Sequence, residues 1–202
     1  LPIYLSPEIQ SKNIMDMCSA PGGKAFQVLS KDNEVKLNDI SSKRISVLKE
    51  NLNRLSIKNN ISNIDALDID EDVLFDVVLL DSPCSGIGTI RRNPEILFKK
   101  EPPNFDNLTK IQENLINKAG RLLKKNGILI YMVCSFFYEE TKAIKNKFLL
   151  ENKNFSHYKF NLNEDNKLNK FIDNQGDIYI QPSEFNNFMI DGFYATKIIR
   201  ND

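Results

Sequence analysis

Strand-like and helix-like patterns alternate along the first 150 residues of this 202-residue chain. Short apolar runs such as "NIMDMC" and "FDVVLLD" are separated by segments in which apolar residues recur every three or four positions. This alternation predicts an α/β fold with a mostly parallel sheet, right-handed crossovers and helices on both faces. The final apolar run, within "MIDGFYATKIIR", predicts an antiparallel C-terminal strand at the edge of that sheet.

The same patterns place the elements along the chain. We expect one helix after the capping candidates Ser41 and Ser42, and another whose apolar residues run from Leu108 to Leu122 and which Gly127 stops. A loop from Ser82 to Asn107 is long enough to suggest a functional role. The other expected strands are "EVKLNDI", "NISNIDAL", "ILIYMVCS" and "FSHYKF", and the other helices "KAFQVLSK" and residues 138–150.

The bulk composition is that of an ordinary globular protein, with 41% apolar and 27% charged residues. A chain of this length predicts a single domain over residues 1–202, expected to be a monomer. No signal peptide or membrane span is visible, so we expect no membrane contact and a cytoplasmic location, or a nucleolar or organellar one in a eukaryote. The net charge of zero neither supports nor excludes a nucleic-acid partner.

The three cysteines, Cys18, Cys84 and Cys134, form no CxxC pair, and His157 is the sole histidine. Metal-ligand spacing is therefore missing, and no metal is expected. An odd, sparse cysteine count indicates free thiols in a reducing compartment. Each thiol is then either a small buried hydrophobe or a reactive group.

Polar side chains follow or end five of the predicted strands. These are Asp16–Gly23, Asp39, Asp65, Asp81–Gly86 and Cys134. In an open parallel sheet, ligands bind beyond the carboxyl ends of the strands. We therefore expect these residues to gather on one rim of the sheet and to form the functional site.

The stretch "MDMCSAPGGK" lies between the first strand and a helix, where backbone N–H groups can face a polar or anionic ligand. Asp39 ends the second strand, where a carboxylate can accept hydrogen bonds from ribose hydroxyls, or can cap the helix that follows. The residues alone leave both roles open. Asp65 is a weaker candidate for an adenine amino group.

In "DMCSAPGGK", "DSPCSGIGTIRRNPE", "VCS" with the following "EE", and "DGFYATKIIR", the chain resembles the RNA cytosine-5 methyltransferases of the Sun/Nol1/Nop2 type, which include bacterial 16S rRNA methyltransferase B. The resemblance covers essentially the whole chain. It implies a Rossmann-like S-adenosylmethionine-dependent methyltransferase fold and an RNA substrate, most often ribosomal RNA. The N-terminal RNA-binding region that members commonly carry is expected to lie outside this sequence.

The resemblance also implies residue roles. Asp39 corresponds to the ribose-binding acid, Asp65 to the adenine-side acid, and Asp81 to the acid that contacts both cofactor and target base. Cys134 corresponds to the nucleophile and Cys84 to the cysteine linked to product release. The cofactor loop corresponds to Cys18, Ser19, Ala20, Pro21, Gly22, Gly23 and Lys24, and Arg44 is included among the expected cofactor contacts.

The departures from the family pattern are modest. Ser19, Ala25 and Val133 stand where alanine, threonine and threonine are usual. None of them removes a reacting group, although a hydroxyl that could orient the thiol is missing next to Cys134.

The chemistry explains the need for a thiol. Because C5 of cytosine is a poor nucleophile, a thiolate must first add to C6 of the flipped-out or single-stranded base. Spacing does not decide which cysteine attacks. Cys84 follows a proline, as in DNA cytosine-5 methyltransferases, whereas Cys134 lies where the RNA family has its nucleophile. The surrounding residues follow the RNA pattern, so we favour Cys134 and take Cys18 as packing.

Other side chains near these cysteines also have expected roles. Arg92, downstream of Cys84, is expected to contact a phosphate or base, whereas Lys99 and Lys100 are expected to be solvated. Phe136, Phe137 and Tyr138 could stack a base, although "SFF" at the end of a strand more often belongs to the core, and His157 is expected to have no catalytic task. The competing interpretations are a catalytically silent RNA-binding or assembly protein, a tRNA cytosine-5 methyltransferase, a dehydrogenase and an amino-group methyltransferase. "CSAPGGK" in place of GxGxxG disfavours the dehydrogenase.

Overall fold

The structure, a computed structural model, describes residues 1–98, 103–162, 166–185 and 188–202. Within them, strands and α-helices alternate as the sequence predicts. The strands are β1 (Asn13–Asp16), β2 (Glu34–Asn38), β3 (Ile61–Ser62), β4 (Phe75–Asp81), β5 (Leu123–Val133), β6 (Phe155–Tyr158), β7 (Ile178–Ile180), β8 (Ser183–Phe185), β9 (Phe188–Ile190) and β10 (Phe193–Arg200). The α-helices are α1 (Ala25–Leu29), α2 (Ser42–Arg54), α3 (Phe105–Arg121) and α4 (Lys142–Glu151).

The main sheet has the order β3-β2-β1-β4-β5-β10-β6, and β7 also pairs with β10. The first five strands in this order are parallel to their neighbours, whereas β10 is antiparallel to β5, β6 and β7. Strands β8 and β9 form a separate two-stranded hairpin. The predicted mostly parallel sheet with an antiparallel C-terminal part is therefore confirmed.

Strand β10 lies one strand inside the edge where the sequence predicted it. Its residues pair with β5 along one side, where Tyr194 faces Val133, and with β6 along the other, where Lys197 faces Tyr158. Tyr194 and Ala195 point to opposite faces, and both are fully buried. A strand buried on both faces belongs in the interior of a sheet, which is why β6 and β7 cover its outer side.

Two apolar clusters, one on each face of the sheet, form the core. Strand β4 shows the division clearly, because Val77 and Leu79 belong to one cluster and Val78 and Leu80 to the other. Helices α1 and α2 pack in the first cluster, and α3 and α4 in the second. Helices on both faces are thus confirmed.

Helix α2 begins as predicted, since the Ser41 side chain accepts a hydrogen bond from the Arg44 N–H. Helix α3 ends at Arg121 and not at Gly127. The chain has already joined the sheet there, because the Phe75 N–H donates to the Leu122 carbonyl. Gly127 instead lies in an irregular part of β5, where the register with β4 shifts.

The segment after β4 is more ordered than a plain loop. Short 3₁₀ turns form at Ile87–Thr89 and Pro94–Phe98, and α3 begins at Phe105, two residues before the expected end of the loop. Lys99 and Lys100, expected to be solvated, lie outside the described residues. The weak third strand shrinks to Ile61–Ser62.

Helices long and apolar enough to cross a membrane do not occur among the described residues. In the same part of the chain, no group of three or more His, Cys, Asp or Glu side chains is arranged to hold a metal ion.

Candidate active site

Two cavities open at the carboxyl ends of the central parallel strands. The larger has a volume of about 560 Å³ and the smaller about 390 Å³. Three residues line both of them, namely Cys18, Asp81 and Cys134. The two cavities therefore meet at a carboxylate and two thiols, so two ligands bound side by side would have their reacting ends there.

The sequence-predicted site residues divide between these cavities. The larger cavity is lined by the loop residues Ser19, Ala20, Pro21, Gly23 and Lys24. The smaller cavity is lined by Asp39, Arg44, Asp65 and Cys84. Gly22 lines neither. All of these residues lie on one rim as expected, but the loop and the three residues expected to bind the nucleoside face different spaces.

The loop after β1 owes its shape to Gly22. Its φ of +116° lies in a region that favours glycine, and an added Cβ would lie 2.3 Å from the Phe26 ring. The Ser19 N–H donates to the Asn38 carbonyl at 2.8 Å, which ties the loop to the end of β2. Arg44 adds a hydrogen bond to the Ala20 carbonyl. The loop is thus held before any ligand binds.

Asp39 is fully buried at the end of β2, and both of its oxygens accept backbone hydrogen bonds. Oδ2 accepts from the Ala20 N–H at 3.1 Å and Oδ1 from the Ser41 N–H at 2.9 Å. Asp39 therefore holds the loop and supports the start of α2 while lining the smaller cavity. Asp65 is exposed, and its side chain caps a short turn through the Leu67 N–H.

Lys24 joins the loop to β4. Its Nζ lies 2.5 Å from Asp81 Oδ2 and 5.5 Å from the centre of the Phe193 ring. Burial lowers the pKa of Lys24, but the charge and hydrogen bond of Asp81 outweigh burial and leave the pKa above its usual value of 10.5. A protonated amine therefore lies beside the acid at the junction of the cavities.

The thiols of Cys134 and Cys84 differ in their electrostatic surroundings. Burial and the charges of Asp81 and Asp191 raise the pKa of the Cys134 thiol, and Lys24 and Arg92 act against this rise. Burial also raises the pKa of Cys84, to about 12, and the charge of Glu140 adds to the rise. Because cations stabilise a thiolate, Cys134 is the better placed of the two to ionise.

Cys18, the third thiol, packs beside the apolar cluster in which α3 and α4 lie. Burial, followed by the charge of Asp16, raises its pKa to about 12. This environment suits packing and not nucleophilic attack.

Asp16 is a site residue that sequence reasoning placed on the rim without a role. It lines the larger cavity, and its buried Oδ2 has no hydrogen-bond partner within the described parts of the chain. Burial, and then the charge of Asp81, raise the pKa of Asp16 to about 7. An orphaned buried oxygen is a strong acceptor for a ligand donor. Its signal in the sequence was the carboxylate next to the loop, at the end of an apolar strand.

Arg91 and Arg92 both pair with Asp191, a residue that the sequence did not single out. Arg91 Nε lies 3.2 Å from Asp191 Oδ1, and Arg92 Nε donates to Oδ2. Arg92 and Asp191 line the larger cavity. The "RRNPE" loop and the "DGFY" turn thus form one wall of the larger cavity, beside Cys134.

The backbone joins the same two segments. The Gly192 N–H donates to the Gly88 carbonyl at 2.7 Å, and the Gly88 N–H donates to the Cys134 carbonyl at 3.0 Å. A Cβ on Gly88 would lie 2.1 Å from the Gly192 oxygen, so only glycine permits this approach. The close contact explains the second glycine of "SGIG", Gly88, and the glycine of "DG", Gly192.

The aromatic residues after Cys134 pack for the most part. The ring centres of Phe137 and Phe105 lie 5.1 Å apart, and those of Phe137 and Phe136 5.4 Å apart. Tyr138 is exposed. His157 lies away from both cavities and contacts buried Asp177, with Nε2 2.7 Å from Oδ1.

Comparison with solved structures defines the class of the protein. NSun6 from Pyrococcus horikoshii, solved with SFG, matches with a TM-score of 0.81 and 23% identity over 100% of this chain and 52% of that chain. A methyltransferase homolog protein from the same organism matches with a TM-score of 0.72 and 25% identity over 98% and 65%. The fold is that of the Rossmann-like S-adenosylmethionine-dependent methyltransferases.

Within this class, the chain belongs to the family described as 16S rRNA methyltransferase RsmB/F, which it matches over residues 2–199. It is 32% identical over 196 residues to Ribosomal RNA small subunit methyltransferase B of Shewanella oneidensis. That match covers 93% of this chain and 42% of the relative, so the chain spans less than half of the curated protein's length. The family resemblance read from the motifs is confirmed.

Proposed function

We propose that this chain is the catalytic part of an S-adenosylmethionine-dependent RNA cytosine-5 methyltransferase that acts on ribosomal RNA. The observation that carries the proposal is the junction of the two cavities at Asp81 and Cys134. The names of the relatives support an rRNA substrate, and the SFG held by a structural neighbour, an analogue of S-adenosylmethionine, supports the cofactor.

The residues present fit this cofactor. Asp39, Arg44 and Asp65 in the smaller cavity would hold its nucleoside. Its amino group would lie past the junction, in the larger cavity, where the orphaned Oδ2 of Asp16 would accept a hydrogen bond from it. When bound, S-adenosylmethionine supplies an electrophilic methyl group for C5 of the base. The rest of the larger cavity, with Lys24 and Arg92 in its wall, is left for the target cytosine.

Cys134 is proposed as the nucleophile. Its thiolate adds to C6 of cytosine, and the negative charge that develops on the ring is stabilised at N3. Lys24 donates a hydrogen bond to Asp81 Oδ2. As the charge develops, the Lys24 ammonium can pass its proton through Asp81 to N3 of the base, and the proton returns to Lys24 when the C6–S bond breaks. Lys24 thus has two tasks, because its charge also favours the Cys134 thiolate.

Cys84 is proposed to act after methyl transfer. Its thiolate takes the C5 proton, the electrons of the C5–H bond re-form the C5=C6 double bond, and the C6–S pair returns to the Cys134 sulfur. The high pKa of Cys84 makes its thiolate a strong base, although one that is scarce at neutral pH.

Methyl-labelled S-adenosylmethionine and small-subunit ribosomal RNA test the proposal, with the protein compared with its Cys134→Ala and Cys84→Ala variants. We expect methyl transfer by the unaltered protein, no covalent RNA adduct with Cys134→Ala, and an accumulating adduct with Cys84→Ala. The reverse pattern would exchange the two roles. Cofactor binding without transfer to any RNA would favour a catalytically silent RNA-binding protein, and transfer to tRNA alone would change the substrate.

A further inference from the structure

Two buried side chains hold the peptide on both sides of Cys84. Glu140 Oε1 accepts from the Ser85 N–H at 2.7 Å, and Oε2 accepts from the Ser85 hydroxyl at 2.6 Å. On the other side, Gln112 Nε2 donates to the Pro83 carbonyl at 2.9 Å and to Glu140 Oε1 at 3.1 Å. The residues before and after Cys84 are therefore fixed by one connected pair.

This pair is fully inside the protein, with both Glu140 and Gln112 at 0% exposure. Glu140 pairs with no Lys, Arg or His side chain in the described part of the chain. A buried carboxylate is costly unless donors compensate it, and here the donors are two groups of Ser85 and one of Gln112. Two of these three donors belong to the residue next to Cys84.

Glu140 also belongs to the segment that follows Cys134. The Tyr131 hydroxyl donates to the Glu140 backbone carbonyl at 2.7 Å, which anchors this segment to β5. The Ser82 N–H donates to the Met132 carbonyl at 2.9 Å, so the start of the Cys84 loop is attached to the same strand. Glu140 completes this attachment beyond Cys84.

We propose that Glu140 is a positioning residue for product release: it fixes the Cys84 loop against the segment that follows Cys134, so that the Cys84 thiol reaches the C5 proton of the methylated base. This inference rests on the proposed function, because it assigns Glu140 to the step for which Cys84 is proposed. It gives a role to Glu140, the second glutamate of the "EE" after "VCS".

The charge of Glu140 gives the role a measurable signature. After burial and the other nearby thiol, the Glu140 carboxylate contributes to the raised pKa of Cys84. A neutral residue at position 140 would therefore lower the pKa of Cys84. Cys84 would then ionise at a lower pH, and the pH profile of adduct breakdown would shift in the same direction. A change that only displaced the Cys84 loop would not shift this profile.

The experiment measures adduct formation and breakdown separately, with two transcripts of small-subunit ribosomal RNA. A transcript containing 5-fluorocytidine has no C5 proton to release, so it reports adduct formation by Cys134; an ordinary transcript reports breakdown. Both rates are measured from neutral into alkaline pH, towards the raised pKa of Cys84, for the unaltered protein, Glu140→Gln, Ser85→Ala and the control Glu139→Gln. Glu139 is the exposed neighbour.

We expect Glu140→Gln to form the adduct nearly as fast as the unaltered protein, to break it down roughly tenfold more slowly, and to shift the pH profile of breakdown to lower pH. Ser85→Ala should slow breakdown without this shift, since the carboxylate remains. Glu139→Gln should change neither rate. If Glu140→Gln does not fold, slow breakdown by Ser85→Ala supports the proposal, and breakdown at the unaltered rate overturns it.

Two other results would overturn the inference. One is breakdown by Glu140→Gln at the unaltered rate and pH dependence. The other is an equal loss of formation and breakdown without a pH shift, which indicates a general structural role. If the unaltered protein forms no adduct with the fluorinated RNA, the proposed function itself fails, so the two failures are distinguishable.

Discussion

Lys24 Nζ lies 2.5 Å from Asp81 Oδ2, which links the glycine-containing loop after β1 to the end of β4. Both residues line the larger cavity, and Asp81 lines the smaller one as well. Lys24 also lowers the pKa of Cys134, against the effect of burial. One amine thus acts on both the acid and the nucleophile of the proposed reaction.

Replacement of Lys24 should weaken the nucleophile. We expect Lys24→Gln to raise the pKa of Cys134, because the removed cation lowers it, and to slow methyl transfer roughly tenfold or more. The rate of Cys134 alkylation by iodoacetamide against pH, followed by mass spectrometry, measures the shift. Lys43→Gln, an exposed change in α2, is the control. An alkylation profile that stays in place would contradict this role for Lys24.

Asp39 should be needed for the cofactor. Asp39→Asn keeps the size of the side chain but removes its charge and one acceptor, so we expect the Kd for S-adenosylmethionine to rise roughly tenfold, about 1.4 kcal/mol. Calorimetric titration measures the affinity. Thermal unfolding shows any loss of stability that follows from weaker contacts between Asp39 and the loop. Asp68→Asn, exposed and outside both cavities, should bind normally. Unchanged affinity in Asp39→Asn would leave Asp39 with only its structural role.

The contact between Gly88 and Gly192 should tolerate no side chain. Because an added Cβ would lie 2.1 Å from the Gly192 oxygen, we expect Gly88→Ala to destabilise the protein by about 1–3 kcal/mol. Thermal unfolding measures the loss. Gly23→Ala is the matched stability control, since a Cβ there meets no atom within 4 Å. Equal melting temperatures of the two variants would show that the segments can separate without cost.

Buried Asp177 should make stability depend on acidic pH. Burial opposes its ionisation, but hydrogen bonds from His157 and Lys145 lower its pKa to about 2. A lowered pKa in the folded state means that this contribution, on the order of 2 kcal/mol, is complete above the unfolded value of 3.8. It is lost as pH falls from about 4 towards 2.

Unfolding by urea at several pH values tests this dependence. We expect Asp177→Asn to lose about 3–5 kcal/mol at neutral pH, because the buried Lys145 is left without its partner at 2.5 Å, and to lose the acid dependence that Asp177 causes. Asp72→Asn, an exposed change before β4, is the control. A variant at position 177 with unaltered stability would be inconsistent with a strong buried pair.

Local sequence patterns predicted much of the fold. The nearly continuous apolar run in "FDVVLLD" indicates a strand buried on both faces, and helical spacing places Ile45, Leu48 and Leu52 on one side of α2. Because parallel strands carry their carboxyl ends to one edge, the gathering of Asp16, Asp39, Asp81 and Cys134 on one rim also followed.

The tertiary structure alone decided how this rim is divided. Whether a residue faces the larger or the smaller cavity depends on which loops pack across the strand ends, and periodicity carries no information about such contacts. The orphaned oxygen of Asp16 and the hold of Glu140 and Gln112 on Cys84 are of this kind. Glu140 and Gln112 are distant in sequence from the Cys84 loop, so only the packed chain brings them within hydrogen-bonding distance of it.

The position of β10 shows the same limit. The sequence by itself determined that "FYATKIIR" is a strand, since its residues suit burial in a sheet. Its place between β5 and β6, with β7 beside it, was decided by the packing of Tyr194 and Ala195 into opposite cores. The sequence pattern that makes a strand is local. Which strands lie beside it depends on the burial of both of its faces, and that burial depends on how the whole chain packs.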